Sequence, residues 1–564
     1  MTFDVLINNA RICDGTGDPL YTGSVAVKNG RIAAVGALDG SSAREVIDAR
    51  GLVVAPGFID PHTHFDAQLL WDGRAEPSLE HGVTTIVQGN CSLSLAPLRS
   101  EHRAFLSAAF RQIEEMPKNA FEAGVQWRWE TFGEYLDAFK SHLAINVSPL
   151  VGHSLLRLWV MGLEARERIA TDAEIAEMQT LLRECLQAGG GGLSTSWTDI
   201  DHEYRPVPCR FADQRELKAL CAVLGEFDRV LQVVPEFWDA DLLRSRIDML
   251  AELSLEFSIT TSFSPLFHSN STPDLVDKAI DRIALQVARG ARVVPQMQTR
   301  PIDYTFDLKA PGLIVSSKPT WWGALLQPHE VKLQALRDPD LRAQLRAEVE
   351  ARVMPLAMQF EWEDLVIARV ALDTNKALVG TTLGALAKDR GVDVTTAMLD
   401  LALEENLETC FTMVGGGHND TAAIGKFLAN PLVEIGAADG GAHVARFATY
   451  GDTGYLFSTF VRAAKALSLE QAVHKVTLDV ARAWRLGLRG ALKPGYAADI
   501  VIFDPDTIDR GPEVEVEDLP APGYRYVRRA SGIDQVFVNG QLAYSAQHGY
   551  TQQTAGLITA EEIR

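Results

Sequence analysis

The chain has 564 residues, with 74 acidic and 53 basic side chains and a formal net charge of −21. At about 150 residues per domain this is material for two to four domains, although a single α/β barrel absorbs ~250 or more. A hydrophobic fraction of 47% excludes global disorder, and the negative charge argues against nucleic acid and anionic membrane surfaces as partners.

The first residues, MTFDVLINNARICDGTG, contain an early Asp4 and lack a basic region followed by a long apolar one. They do not read as a secretory signal. No apolar run reaches the ~18 residues a spanning helix needs. The cysteines (Cys13, Cys91, Cys185, Cys209, Cys221 and Cys410) are scattered without a CxxC. Reduced thiols and a cytoplasmic location are the expectation.

Residues 3–9 and 24–28 alternate apolar and polar side chains, and 31–36 and 52–54 continue as short strand-like runs between Gly, Asp and Asn turns. From about Pro56 short apolar strands alternate with amphipathic stretches: TTIVQGN before 101–116, INVSPLVGH before 172–188, GGLSTS before 213–224, and VLQVVPE before 240–253. Such alternation, repeated about eight times, predicts a parallel barrel. The glycine run 189–192 ends one helix and opens a strand. No GKS or GKT follows it, so it is not a phosphate loop. Residues 303–360, rich in Trp and Pro, read as an insertion, either an active-site lid or the arm of a homo-oligomer. Trp321 and Trp322 within it suit buried packing or an apolar pocket, and 338–353 reads as an amphipathic surface helix. The pattern returns to β at 498–504 and at 535–545, the latter with an Asn-Gly hairpin signal.

The fold class predicted is therefore α/β. A parallel (β/α)8 TIM-like barrel occupies residues 56–485, and β units at 1–55 and 486–564 flank it.

The sharpest motif is PGFIDPHTHFD, residues 56–66. An apolar strand delivers His62 and His64 at its end, and period-two geometry turns both imidazoles to one side. Two such histidines at the C-terminal mouth of a barrel suit one divalent metal, although an HxH alone also describes two loop histidines.

Further pieces extend the pattern: HGVTTIVQGNCSLSLAPL (81–98), NVSPLVGHSLLR (146–157), NPLVEIGAADGGAH (430–443) and LKPGYAADIVIFDP (492–505). With them the chain resembles the amidohydrolase superfamily and, within it, the N-acyl-D-amino-acid deacylases (D-aminoacylases). The resemblance implies a distorted barrel with a β-sandwich from both termini, and a zinc-activated water attacking an amide carbonyl. It makes His62, His64, Cys91 and Asp439 metal ligands. Asp439 also becomes the proton shuttle, and His153 either a donor to the oxyanion or a satisfied structural histidine. Tyr450, with Gly451 a trace of the family's Tyr-Gly segment, becomes a substrate-binding residue; Arg446, on the same loop as His443, suits either a carboxylate clamp or a solvated surface position.

The sequence departs from that family on the fifth and sixth strands, where D-aminoacylases take further histidine ligands. No histidine lies between His202 and His268. Val234 or Pro235 fills the first slot, and Ser262 or Phe263 the second. His202, His268 and Glu236 remain as replacements, and no lysine on GGLSTS offers a carbamate bridge. The expectation is a one-ion site, zinc first, with iron, manganese or nickel as alternatives. The activity expected is hydrolysis of an N-acylated amino acid or a related small molecule. A lactone, ester or cyclic amide is the alternative substrate, and a non-catalytic binding protein the alternative class.

Overall fold

The computed structural model describes residues 2–38, 40–353, 360–551 and 556–558. Parts of the 303–360 insertion and of the 486–564 tail therefore lie outside the described residues. The chain divides into two compact units. One comprises Met1–Leu266, Val276–Thr299 and Thr421–Arg564; the other comprises Phe267–Leu275 and Arg300–Asp420.

In the first unit both termini contribute to one nine-stranded sheet. Phe3–Ile12 pairs antiparallel with Tyr21–Lys28 and parallel with Ala43–Asp48 and Val53–Pro56. Val53–Pro56 in turn pairs antiparallel with Ile500–Phe503, which pairs with Ile533–Val538. Alternate residues Val5 and Ile7, Val25 and Val27, and Ile500 and Ile502 share one buried core, as the period of two requires. Asn539 (φ 49°) and Gly540 (φ 78°) turn the chain into Gln541–Ser545. Two successive positive φ values are what a two-residue hairpin of this hand needs.

Eight parallel strands make the second sheet of this unit. In chain order they are Phe58–Asp60, Val83–Gln88, Asn146–Gly152, Gly192–Ser196, Val230–Val234, Thr261–Phe263, Val293–Met297 and Glu434–Ile435. Strands two to five are buried along their whole length, as expected for a parallel sheet covered on both faces. The first and eighth edges meet beyond their ladders, where His64 N donates to Gly440 O (2.7 Å) and Asp439 N to His62 O (3.1 Å). That closure brings the PHTHF and AADGG segments side by side. The glycine run does end the helix Asp172–Ala188 and open strand four. A Cβ on Gly192 would stand 2.3 Å from Val230 O, so the close approach of strand five requires glycine there.

The second unit holds a three-stranded antiparallel sheet with Cys410–Met413 between Tyr304–Phe306 and Val366–Arg369. It is larger than the 303–360 insertion read from composition. Trp321 is fully buried, its Nε1 donating to Leu345 O (3.0 Å) and its ring 6.1 Å from that of Trp362. The amphipathic stretch expected at 338–353 is the helix Pro339–Glu350, capped by Asp338. Among the described residues no helix is long and apolar enough to cross a membrane.

Candidate metal centre

The GNCS segment after strand two explains how one end of the barrel is organised. Gly89 N donates to the buried Asp66 carboxylate (3.0 Å), and Asn90 Nδ2 donates to Thr63 O and Val87 O (3.1 Å each). These bonds tie the loop to the segment carrying His62 and His64. Cys91 then adopts φ 56° and Asp439 φ 61°, a left-handed backbone that side chains other than glycine seldom take. Strain of this kind tends to collect where function fixes a side chain.

His62, His64 and Cys91 bring their donor atoms into one cluster there, with Asp439 against both imidazoles. His62 Nε2 lies 3.2 Å from Asp439 Oδ1 and 3.5 Å from Cys91 Sγ. His64 Nε2 lies 3.6 Å from the same carboxylate oxygen and 3.9 Å from the same sulfur. A tetrahedral zinc with bonds of ~2.0–2.1 Å to nitrogen and ~2.3 Å to sulfur separates its ligands by about 3.3–3.6 Å. The donor set therefore fits a zinc-sized cation. His62 and His64 are buried, while the Asp439 side chain keeps 31% of its surface exposed, so solvent reaches the cluster on the aspartate side.

The electrostatics agree with that fit. Burial lowers the His62 pKa to about 4, so this imidazole is neutral at physiological pH. His64 moves the other way: burial is outweighed by Glu114, Cys91 and Asp439, and its pKa rises well above the usual value. Asp439 is held far below the usual carboxylate range, because the two histidines and His443 overcome its burial. Burial pushes the Cys91 thiol up to about 12 despite His64. Without a metal, the proton on His64 supplies the positive charge this cluster calls for. A bound cation would displace it and stabilise the Cys91 thiolate.

Several neighbours are not legible in the sequence. Glu114, buried at the end of helix Arg103–Ile113, places Oε1 3.1 Å from His64 Nδ1. Two acids at a helix C-terminus oppose the helix dipole, and that is the only local signal for Glu114 and Glu115. Ser264 Oγ lies 2.8 Å from His62 Nδ1. Gln232 Oε1 accepts from Cys91 N at 3.2 Å. Gln296 also reaches His62, and it accepts from Ala437 N (3.2 Å).

Other expectations need correction. His153 has no nitrogen left for an oxyanion: Nδ1 meets Thr195 Oγ1 (3.0 Å) and Nε2 meets Glu216 Oε1 (2.8 Å), with Arg157 paired to the same glutamate. Tyr450 is sealed rather than presented to substrate. Its ring stacks on Phe65, and its hydroxyl accepts from Arg525 Nη1 (3.2 Å). Glu236 is held by Arg246 through both oxygens (2.9 and 2.8 Å). His202 packs on Phe105, and His268 belongs to the second unit. Neither joins the cluster; among the described residues the one group of three or more clustered ligand types is His62, His64 and Cys91. Arg446 Nε lies 3.2 Å from Glu115 Oε1, and His443 Nδ1 2.9 Å from Glu115 Oε2, so these residues share one acid beside the centre.

This combination of barrel and cluster defines a hydrolase. The amidohydrolase family profile matches residues 45–308 and 316–544, and the chain belongs to that family. An uncharacterised protein of Mycobacterium tuberculosis is 31% identical, over 98% of this chain and 94% of its own length. The N-acyl-D-aspartate deacylase of Alcaligenes xylosoxydans xylosoxydans is 29% identical, over 96% of this chain and 92% of its own. A D-aminoacylase structure, from work on its binuclear metal centre with one-metal activation and second-metal attenuation, superposes with a TM-score of 0.66. It is 26% identical, with 99% of each chain covered.

Proposed function

We propose that this enzyme removes the acyl group from an N-acyl amino acid, using a single zinc ion held by His62, His64 and Cys91, with Asp439 beside the position left open for water. The D configuration is favoured, because the relatives of known activity carry it in their names. In this reading residues 56–485 form the catalytic barrel with its insertion, and 1–55 with 486–564 form the flanking sheet domain. The observation that carries the proposal is the convergence of two imidazoles, one thiol and one carboxylate from strands one, two and eight. A single ion is supported by the fourth strand, GLSTS, which has no lysine, and by Glu236, which is committed to Arg246.

When bound, the ion supplies Lewis acidity, polarising the amide carbonyl and acidifying water. Asp439 does the proton work. Its free oxygen accepts the proton of the attacking water as the C–O bond forms, and returns it to the amide nitrogen as the C–N bond breaks. Arg446, on the loop that follows Asp439, pairs with Glu115 through Nε; exchanging that acid for a substrate carboxylate is the role proposed for it. The test is a chelated and zinc-reconstituted preparation assayed on N-acetyl-D-amino acids, their L enantiomers, and lactones. Amine release from the D series supports the reading. Lactone opening without amine release overturns it.

A further inference from the structure

The fifth and sixth strands do supply side chains to the centre, though not as ligands. Gln232, fully buried in strand five, stands beside Ser262 of strand six in the ladder. Its Oε1 accepts from Cys91 N (3.2 Å), and its Nε2 donates to Ser264 Oγ (3.3 Å). Ser264 Oγ in turn lies 2.8 Å from His62 Nδ1. An amide buried inside a parallel sheet is costly unless both its ends are bonded, and both ends of this one are. The two ends of this chain of bonds are two of the four residues that surround the cation position.

We propose that Gln232 and Ser264 are positioning residues forming a relay from the Cys91 amide to His62, which replaces second-ion ligands on strands five and six and holds a one-ion centre. This inference rests on the zinc reading above. The chemistry of the relay is simple. With Nε2 given to the cation, His62 carries its proton on Nδ1, and Ser264 Oγ accepts from it as well as from Gln232 Nε2. That fixes the His62 tautomer with the Nε2 lone pair directed at Cys91 and Asp439, as a ligand must be. At the other end, Gln232 anchors the amide of Cys91 in its left-handed conformation, which sets where the sulfur points. Ser262 belongs to a parallel link, accepting from Gln296 Nε2 (2.9 Å), and Gln296 itself reaches His62.

The experiment is zinc titration of the metal-free full chain against a chromophoric chelator, with thermal melts of the same metal-free samples. The wild type is expected to take up one equivalent tightly. Ser264→Ala and Gln232→Leu should each bind about 10–100-fold more weakly, the usual effect of losing a residue that orients a metal ligand. Ser264→Thr, which keeps the hydroxyl, should stay near the wild type. A merely structural role would instead lower the metal-free melting temperature and leave zinc affinity unchanged. If Ser264→Ala does not fold, Gln232→Leu and Ser264→Thr decide the matter by the same readout. Affinity within twofold of the wild type in both relay variants overturns the relay alone. A second tight equivalent in the wild type overturns the one-ion part. No zinc uptake by the wild type overturns the zinc reading, and the relay with it.

Discussion

His64 Nδ1 and Glu114 Oε1 lie 3.1 Å apart, both buried, with Nε2 of the same ring facing Asp439 and Cys91. A carboxylate behind a ligating imidazole fixes its orientation and raises its basicity. Glu114→Gln keeps the shape but removes the charge. Zinc affinity at pH 8 should fall about tenfold or more, and it should depend less steeply on pH, because His64 no longer holds its proton so tightly. Competition titrations between pH 5 and 8 check both.

Asp439 keeps 31% of its side-chain surface exposed, and the proposed mechanism gives it both proton transfers. Asp439→Asn should lower kcat by at least about 10²–10⁴-fold, with circular dichroism and the melting curve little changed. Retained turnover would remove Asp439 from the chemistry.

His153 makes the opposite case. Its ring bridges Thr195 and the Glu216–Arg157 pair away from solvent. His153→Ala leaves buried polar groups unpaired and should cost about 1–3 kcal/mol of stability. The kcat per folded molecule should stay within a few-fold. Denaturant melts alongside active-site-normalised kinetics separate the two effects.

Glu434 gives a pH prediction independent of the centre. Burial raises its pKa to about 8, against the lowering effect of the Trp484 hydrogen bond (2.9 Å) and of Lys475. The folded carboxyl therefore holds a proton that the unfolded one gives up near 4.5. Its contribution to stability is fully present below about 4.5 and is lost as pH rises through about 8. At ~1.4 kcal/mol for each tenfold change in proton affinity, the loss is at most about 5 kcal/mol. Glu434→Gln does not titrate, so its advantage over the wild type should grow from pH 5 to pH 8.5 in urea midpoints.

What is legible in the sequence follows from how local each signal is. The HxH at the end of an apolar strand and the strand–Asp-Gly turn are short motifs whose backbone geometry decides where the side chains point. The first picks out His62 and His64 as a pair; Asp439 is picked out only through the resemblance to the deacylases. Strand–helix alternation likewise announces eight parallel strands. Glu114, Gln232 and Ser264 reach the centre only because the barrel closes and aims strand interiors inward, and a Gln inside VLQVV looks like any other polar residue in a strand. His153 and Tyr450 mislead for the converse reason. Their motifs are local, but the groups that occupy them are distant: Thr195 and Glu216 for one, Arg525 for the other.

The central claim is that two imidazoles and one thiolate hold a single cation beside the Asp439 carboxylate. Zinc K-edge X-ray absorption on protein loaded with one equivalent measures this directly. The account predicts one sulfur at ~2.3 Å with nitrogen and oxygen neighbours at ~2.0–2.2 Å, and loss of the sulfur shell alone in Cys91→Ser. An all-oxygen and nitrogen shell in the wild type, or a sulfur shell that survives in Cys91→Ser, would contradict it.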